Sequence, residues 1–394
     1  MAFPLLIILA IFLWDIAANQ LPLGTDDLQF ENHENVPGFH TDFDALRLVQ
    51  FSPEEDAVWI TEREKLRARA AGQTFFDITS HPHLGSFSPK ERFSYPDTAK
   101  ATDVVHAILP VLSTTYLAEN LAYFSSFRTR YYNSDTGKAS SEWLLRKIQN
   151  YTNELASEEQ RAIITVKPFT HSWLQTSVVC AYILLLRIQL NTDPTTVIGA
   201  HCDSLNLANP FDPAPGADDD GSGTVTILEA YRALLVANYV SLSPLEFHFY
   251  AAEEGGLLGS QDIVAAYEVA GKRVKAMQQY DMTAWIKTGT TEAISVMTND
   301  VDRDLTEFQK TLVETYLDIP WVESAYPGYG SSDHNTWSKA GYQACHCTEG
   351  KWSDMNRDVH RATDRIDISA EFSFDHMLQF SKLAVAFSVE LSSY

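Results

Sequence analysis

Three runs decide the fold: VIGAHCDS at 197–204, PGADDDGSGTVTILEAYRALL at 215–235 and LEFHFYAAEEGG at 245–256. The first is apolar from Val197 and ends in His201. The second opens as a Gly-rich acidic loop, Asp218 to Gly223, and continues with Val225, Leu228, Leu234 and Leu235 on one helical side. The third is apolar from Leu245 and ends in the pair Glu253 and Glu254. Short apolar runs bounded by turn residues read as buried strands. The order is therefore strand, loop, helix, strand, with a histidine or an acid at each strand exit. In an open α/β sheet, ligands bind just beyond the carboxyl ends of the strands. An edge that collects imidazole and carboxylates suits zinc, or a pair of zinc ions.

Outward from this centre, elements alternate. Helical periodicity covers Asp103–Leu112, Thr115–Phe124 and Ser140–Leu155. Ile163–Phe169 and Ser177–Arg187 read as an antiparallel strand pair. Val274–Tyr280 is a strand that exits on Asp281, and Ile294–Thr298 and Tyr342–Cys347 are further strands. Helices are expected at Asp262–Ala270, Asp304–Leu317, Ser332–Trp337 and Phe372–Leu391. This alternation predicts an α/β fold with a mixed, mostly parallel, doubly wound sheet flanked by helices.

Acidic residues outnumber basic ones 52 to 29, and the net charge of −23 argues against nucleic acid as a partner. Phe3 to Trp14 is an apolar run of signal-peptide length, with Ala17 and Ala18 for cleavage, although no basic residue precedes Arg47. The expectation is a signal peptide over 1–18 and secretion, without stable membrane association. Residues 19–93 read as a removable pro-segment ahead of a catalytic domain at 94–394. Within that segment, Ser52-Pro53-Glu54-Glu55 reads as the start of a helix running to Ala71, and 81–95 as a linker. Four cysteines, Cys180, Cys202, Cys345 and Cys347, allow up to two disulfides in a secreted chain. Asn150-Tyr151-Thr152 is a glycosylation sequon.

The candidate ligands are His201, Asp219, Glu254, Asp281 and His360. Singly, each is more often a cap or a surface residue; together they describe a metal centre. Asp203, two residues after His201, can accept the second N–H of a metal-bound imidazole. Three adjacent aspartates repel one another and ask for a cation; Asp219, the middle one, is the natural bridge. At a strand exit followed by Gly255 and Gly256, both glutamates can reach the site, one as ligand and the other as general base.

The motifs HCDS, APGADDDGSG, FYAAEEGGLLGSQD, QQYDMT, GYGSSDH and DVHRATDRID resemble those of the secreted two-zinc leucyl aminopeptidases, bacterial and fungal. The likeness runs from about residue 95 to 394. LVQFSPEE and FFDITS resemble the pro-segments of the fungal forms. The resemblance implies a zinc exopeptidase fold with His201 and Asp281 on one zinc, Glu254 and His360 on the other, and Asp219 bridging. It makes Glu253 the general base, Asp203 the partner of His201, and Tyr329 a hydrogen-bond donor to the tetrahedral intermediate. It implies a side-chain pocket lined by Met282, His346, Cys347, Trp352, Met355 and Val359. Pro327 and Ser331 stand where the bacterial form has two cysteines, and His346 departs from a purely apolar pocket.

The expected protein is thus a monomeric aminopeptidase with two Zn2+ per chain, acting on peptides with a free N-terminus and a leucine-like first residue. The alternatives are a zinc carboxypeptidase or dipeptidase, for which Arg357, Arg361 or Arg365 would hold a carboxylate; a glutaminyl cyclase; and a metal-free binding ectodomain.

Overall fold

Two-sided burial explains why the central strands read as continuous apolar runs. In the computed structural model, which describes residues 36–86, 90–183 and 193–393, successive side chains of these strands enter opposite cores. Ile198, Phe247, Phe249 and Tyr280 join the larger cluster, whereas Val197, Tyr250, Met277 and Ala344 join a second one. The expected signal peptide, and the last part of the strand expected at Ser177–Arg187, lie outside the described residues.

In chain order, the N-terminal segment holds β1 (Leu46–Gln50), β2 (Val58–Thr61), α1 (Glu62–Ala70) and β3 (Phe76–Asp77). The helix expected from Ser52 does not begin there. Val58-Trp59-Ile60-Thr61 is rich in β-formers and pairs antiparallel with β1, so 52–57 becomes the connecting turn. Helix α1 starts at Glu62, where Thr61 and Glu64 form a reciprocal capping box. The β1–β3 pairing closes a three-stranded sheet in the order β2-β1-β3.

Next come α2 (Thr102–Ile108), α3 (Thr114–Phe124), α4 (Asp135–Leu155) and α5 (Glu158–Ile163), then β4 (Ile164–Phe169), β5 (Ser177–Tyr182) and β6 (Thr195–His201). Helix α4 begins before Ser140 because Ser134 caps it by accepting from Gly137 N. Beyond β6 follow α6 (Gly221–Val236), β7 (Leu245–Tyr250), α7 (Leu258–Val269), β8 (Val274–Tyr280), β9 (Ile294–Met297), α8 (Arg303–Tyr316), β10 (Trp321–Ser324), α9 (His334–Lys339), β11 (Ala344–Thr348) and α10 (Phe374–Ser392). The large sheet has the order β10-β9-β11-β8-β6-β7-β5-β4. Strands β7, β6, β8 and β11 run parallel, and β5 and β4 continue antiparallel at one edge. Helices α6 and α10 pack together against one face, and α7 and α9 cover the other. The expected mixed, doubly wound architecture is what forms.

The disulfide expectation fails. All four cysteines are free and buried. Cys180 lies in β5 and Cys202 just past β6, while Cys345 and Cys347 share one face of β11; all four pack into the larger core. They behave there as small apolar side chains. Asn150 is exposed on α4. No helix among the described residues is long and apolar enough to cross a membrane.

Candidate metal centre

Strand geometry delivers the donors. His201 ends β6, Asp281 follows β8, and Glu253 and Glu254 follow β7 after a turn through Ala252 at φ 56°. Asp219 arrives from the loop before α6, and His360 from the loop after β11. His201 Nε2 lies 3.1 Å from Asp219 Oδ1 and 3.7 Å from Asp281 Oδ1. On the other side, His360 Nε2 lies 2.8 Å from Asp219 Oδ2 and 3.0 Å from Glu254 Oε1. Asp219 therefore offers one oxygen to each imidazole, the geometry of a bridging carboxylate.

Two groups converge tightly enough to hold an ion: His201 with Asp220 and Asp281, and Asp219 with Glu254 and His360. Asp220 is the weaker ligand candidate. Its Oδ2 accepts from His201 N, and its Oδ1 accepts from Gly223 N and Met282 N. Asp218 is likewise engaged, by Ser222 Oγ, Ala284 N and Asn356 Nδ2. The three adjacent aspartates do not all need a cation, because backbone amides and neighbouring side chains satisfy the outer two. Only Asp219 keeps its carboxylate for the imidazoles.

Asp203 ties the glutamate turn to His201. Its carboxylate lies 3.2 Å from His201 Nδ1 and accepts from Glu253 N at 3.0 Å and Glu254 N at 3.2 Å. Ser332 Oγ donates to Asp281 Oδ2 at 2.6 Å. These partners fix ring and carboxylate orientations as outer residues do around metals.

The electrostatics call for cations. Burial works against a charged His360, yet Glu254 and Asp219 push it up to about 10. Burial opposes charge on Asp219 as well, but His360 and His201 hold its carboxyl below the usual range. Glu253 differs: burial lifts it well above the usual range against the pull of His201 and Arg69. Glu254 Oε1 is buried and makes no hydrogen bond despite its closeness to His360 Nε2. Two ligands that face a common point look like this. The donor set of imidazole nitrogens and carboxylate oxygens fits two zinc ions.

Arg69 was not legible in the sequence. It reaches in from α1, with Nη2 3.0 Å from Glu254 Oε2 and 3.4 Å from Glu253 Oε2. Gly72, Gln73 and Thr74 follow it along the wall of the cavity beside His201, Asp219 and Asp281. Tyr329 does not border that cavity. Its hydroxyl accepts from Lys339 Nζ at 2.9 Å, its N–H donates to Thr74 Oγ1 at 3.0 Å, and its ring packs 4.8 Å from Phe76. Tyr326 lines the cavity instead.

Among the expected pocket residues, Met282, Met355 and Val359 cluster with Tyr326 and Met297, and Trp352 packs against them. His346 stands behind Tyr326 with its ring stacked parallel, and burial holds it down at about 4, so it is neutral. Cys347 points away into the larger core, because neighbouring residues of β11 face opposite sides.

The sheet and its acidic centre define a dinuclear metallohydrolase of the α/β type. Residues 184–384 match the model of Peptidase family M28, and the chain belongs to that family. Leucine aminopeptidase 1 of Neurospora crassa is 41% identical over 87% of this chain and 85% of its own. Leucine aminopeptidase 1 of Metarhizium robertsii is 42% identical over 84% of each. The crystal structure of the Legionella pneumophila LapA aminopeptidase superposes with TM-score 0.76 at 28% identity, covering 89% of this chain and 94% of that one. Such a share exceeds the whole of 94–394, so the likeness extends into the N-terminal segment. A Porphyromonas gingivalis glutaminyl cyclase, at 15% identity and TM-score 0.54, shares the fold alone.

Proposed function

We infer that this chain is a zinc-dependent aminopeptidase that hydrolyses N-terminal residues from peptides. The observation that carries this reading is Asp219, whose two oxygens face His201 and His360, with Glu253 beside them. His201 and Asp281 would hold one zinc and Glu254 and His360 the other, with an oxygen of Asp219 available to each. Bound zinc supplies a Lewis acid and lowers the pKa of water. Glu253, which lines the cavity beside His201, Asp219 and Asp281, takes the proton from the attacking water and returns it to the leaving amine. Asp203 orients both His201 and the glutamate turn. Met282, Trp352 and Tyr326 line the cavity, Met355 and Val359 pack against them, and this apolar side suits a leucine-like first side chain; His346 backs it as a neutral ring.

The carboxypeptidase alternative needs a cation beside the site. Arg365 instead pairs with Asp367, and Arg357 donates to Trp352 O. None of Arg357, Arg361 and Arg365 borders the cavity. Arg69 does, but it spends its charge on Glu253 and Glu254.

Residues 1–18 act as a signal peptide, the mature enzyme is a secreted monomer, and residues 19–93 are a pro-segment that keeps the precursor latent. The support for latency is Arg69 against the base and Thr74 and Phe76 against Tyr329. Removal of the segment frees Tyr329 to turn toward the substrate. The decisive experiment compares leucine-p-nitroanilide with its N-acetyl derivative, before and after zinc chelation, on protein with the segment removed. Cleavage of the free amine alone, lost on chelation and restored by zinc, is expected. Equal cleavage of both substrates, or activity that survives chelation, contradicts the reading.

A further inference from the structure

We propose that Arg130 and Asp364 are positioning residues that grip the 215–219 loop from opposite sides and set Asp219 between His201 and His360. The proposal rests on the reading of Asp219 as the shared zinc ligand.

The loop belongs to neither strand nor helix, so something other than a backbone ladder must hold it. Arg130 does so from one side. Its Nη1 donates to Pro215 O and its Nη2 to Gly216 O at 2.9 Å. Its remaining donors go to the strand exit that carries His201: Nε to Cys202 O at 3.0 Å and Nη2 to Asp203 O at 3.4 Å. One planar guanidinium thus bridges two ligand-bearing segments. Gly216 lies at φ +54°, and a Cβ there would meet the guanidinium at 2.8 Å.

Asp364 holds the other side. Its Oδ1 accepts from Asp218 N at 2.9 Å and its Oδ2 from Asp219 N at 3.1 Å. Its backbone carbonyl accepts from Ala217 N at 3.1 Å. Asp364 sits four residues beyond His360, in the same loop. The clamp therefore joins the segments carrying His201, Asp219 and His360.

The chemistry of Arg130 argues for a specific task. Its side chain is fully buried. No carboxylate among the described residues lies within ion-pair distance; carbonyl oxygens and the face of Phe124, 4.3 Å away, receive the charge. Burying a guanidinium without a direct counter-ion is costly. A lysine ammonium cannot reproduce the fork that spans four carbonyls.

The test uses the full chain, stripped of metal and titrated with Co2+ and, against a chelator, with Zn2+. Asp364→Asn preserves shape but places an amide donor against a backbone N–H. Its expected zinc affinity falls 10- to 100-fold at one site or both, its cobalt absorption band shifts, and far-UV circular dichroism is unchanged. Asp219→Asn is run in parallel. A shifted cobalt spectrum for Asp219→Asn, with a wild-type spectrum and affinity for a folded Asp364→Asn, overturns the clamp and leaves the ligand reading standing. An unshifted spectrum for Asp219→Asn overturns the ligand reading, and the clamp with it. Arg130→Lys is expected to shift the same band; should it fail to fold, Asp364→Asn decides alone.

Discussion

Two buried arginines approach the acidic centre, and they hold it by different chemistry. Arg69 comes from the N-terminal segment and ends on the carboxylates of Glu253 and Glu254. Arg130 comes from the loop between α3 and α4 and ends on backbone carbonyls. A contact with carboxylates can be traded, since a substrate ammonium or another cation can take its place. A contact with four carbonyls has no such substitute. On the proposed reading of 19–93 as a pro-segment, the difference separates a removable plug from a permanent brace at the same site.

The harshest way to break this contrast is Arg130→Met, which strips Pro215 O and Asp203 O of their donor, while Gly216 O keeps Gly221 N and Cys202 O keeps Gln175 Nε2. At about 1–3 kcal/mol for each orphaned group, several kcal/mol of stability should vanish in urea unfolding; a loss under about 1 kcal/mol would demote the brace. Next comes Lys65→Met, on the plug side. Lys65 is buried between Glu62, Asp77 and Gly255 O, and breaking one partner of a buried ion pair costs about 3–5 kcal/mol. The damage should be confined to the segment, seen as faster limited proteolysis of 36–86 with an unchanged catalytic fragment. Arg69→Ala sharpens the comparison further. The intact chain should hydrolyse leucine-p-nitroanilide at least about tenfold faster, equivalent to roughly 1.4 kcal/mol, and unchanged latency would remove Arg69 from the plug.

The smallest effect is a pH one. Asp262 accepts from His81, in the segment, and from His171, each at 2.6 Å. Burial would raise its pKa, but the two imidazoles bring it down to about 2 from 3.8. A carboxylate depressed on folding stabilises above its unfolded pKa and loses that contribution as pH falls through the folded one. The latch should therefore hold above about pH 4 and weaken between 4 and 2, read as protease access to the segment. Asp262→Asn should abolish that acid step.

The catalytic half was legible because its signals are local. Apolar runs mark the buried strands, and His201, Asp281 and the two glutamates sit at strand exits by count alone. Glycines after Glu254 announced the turn that lets both acids reach the site. The N-terminal segment misled for an equally local reason. Ser52-Pro53-Glu54-Glu55 has the chemistry of a helix start, but Val58–Thr61 gains more by pairing with β1. Short β10 gave no readable period, and long-range contacts decided it. Arg69, Arg130 and Asp364 left no pattern, because their partners lie far away in the chain. The same holds for the outer aspartates: composition shows three adjacent acids, whereas only the folded loop shows which of them its amides have already satisfied.

The free cysteines have a practical consequence. All four are interior, and burial pushes the Cys180 thiol up to about 12. Thiolates react with alkylating probes and buried thiols are inert, so each cysteine becomes a silent clock. Labelling should proceed only when its own part of the sheet opens, and reductants should leave the folded chain untouched. Cys180 near one edge of the sheet, Cys202 at its centre and the pair on β11 would then time the opening of three regions of one molecule, with no engineered label.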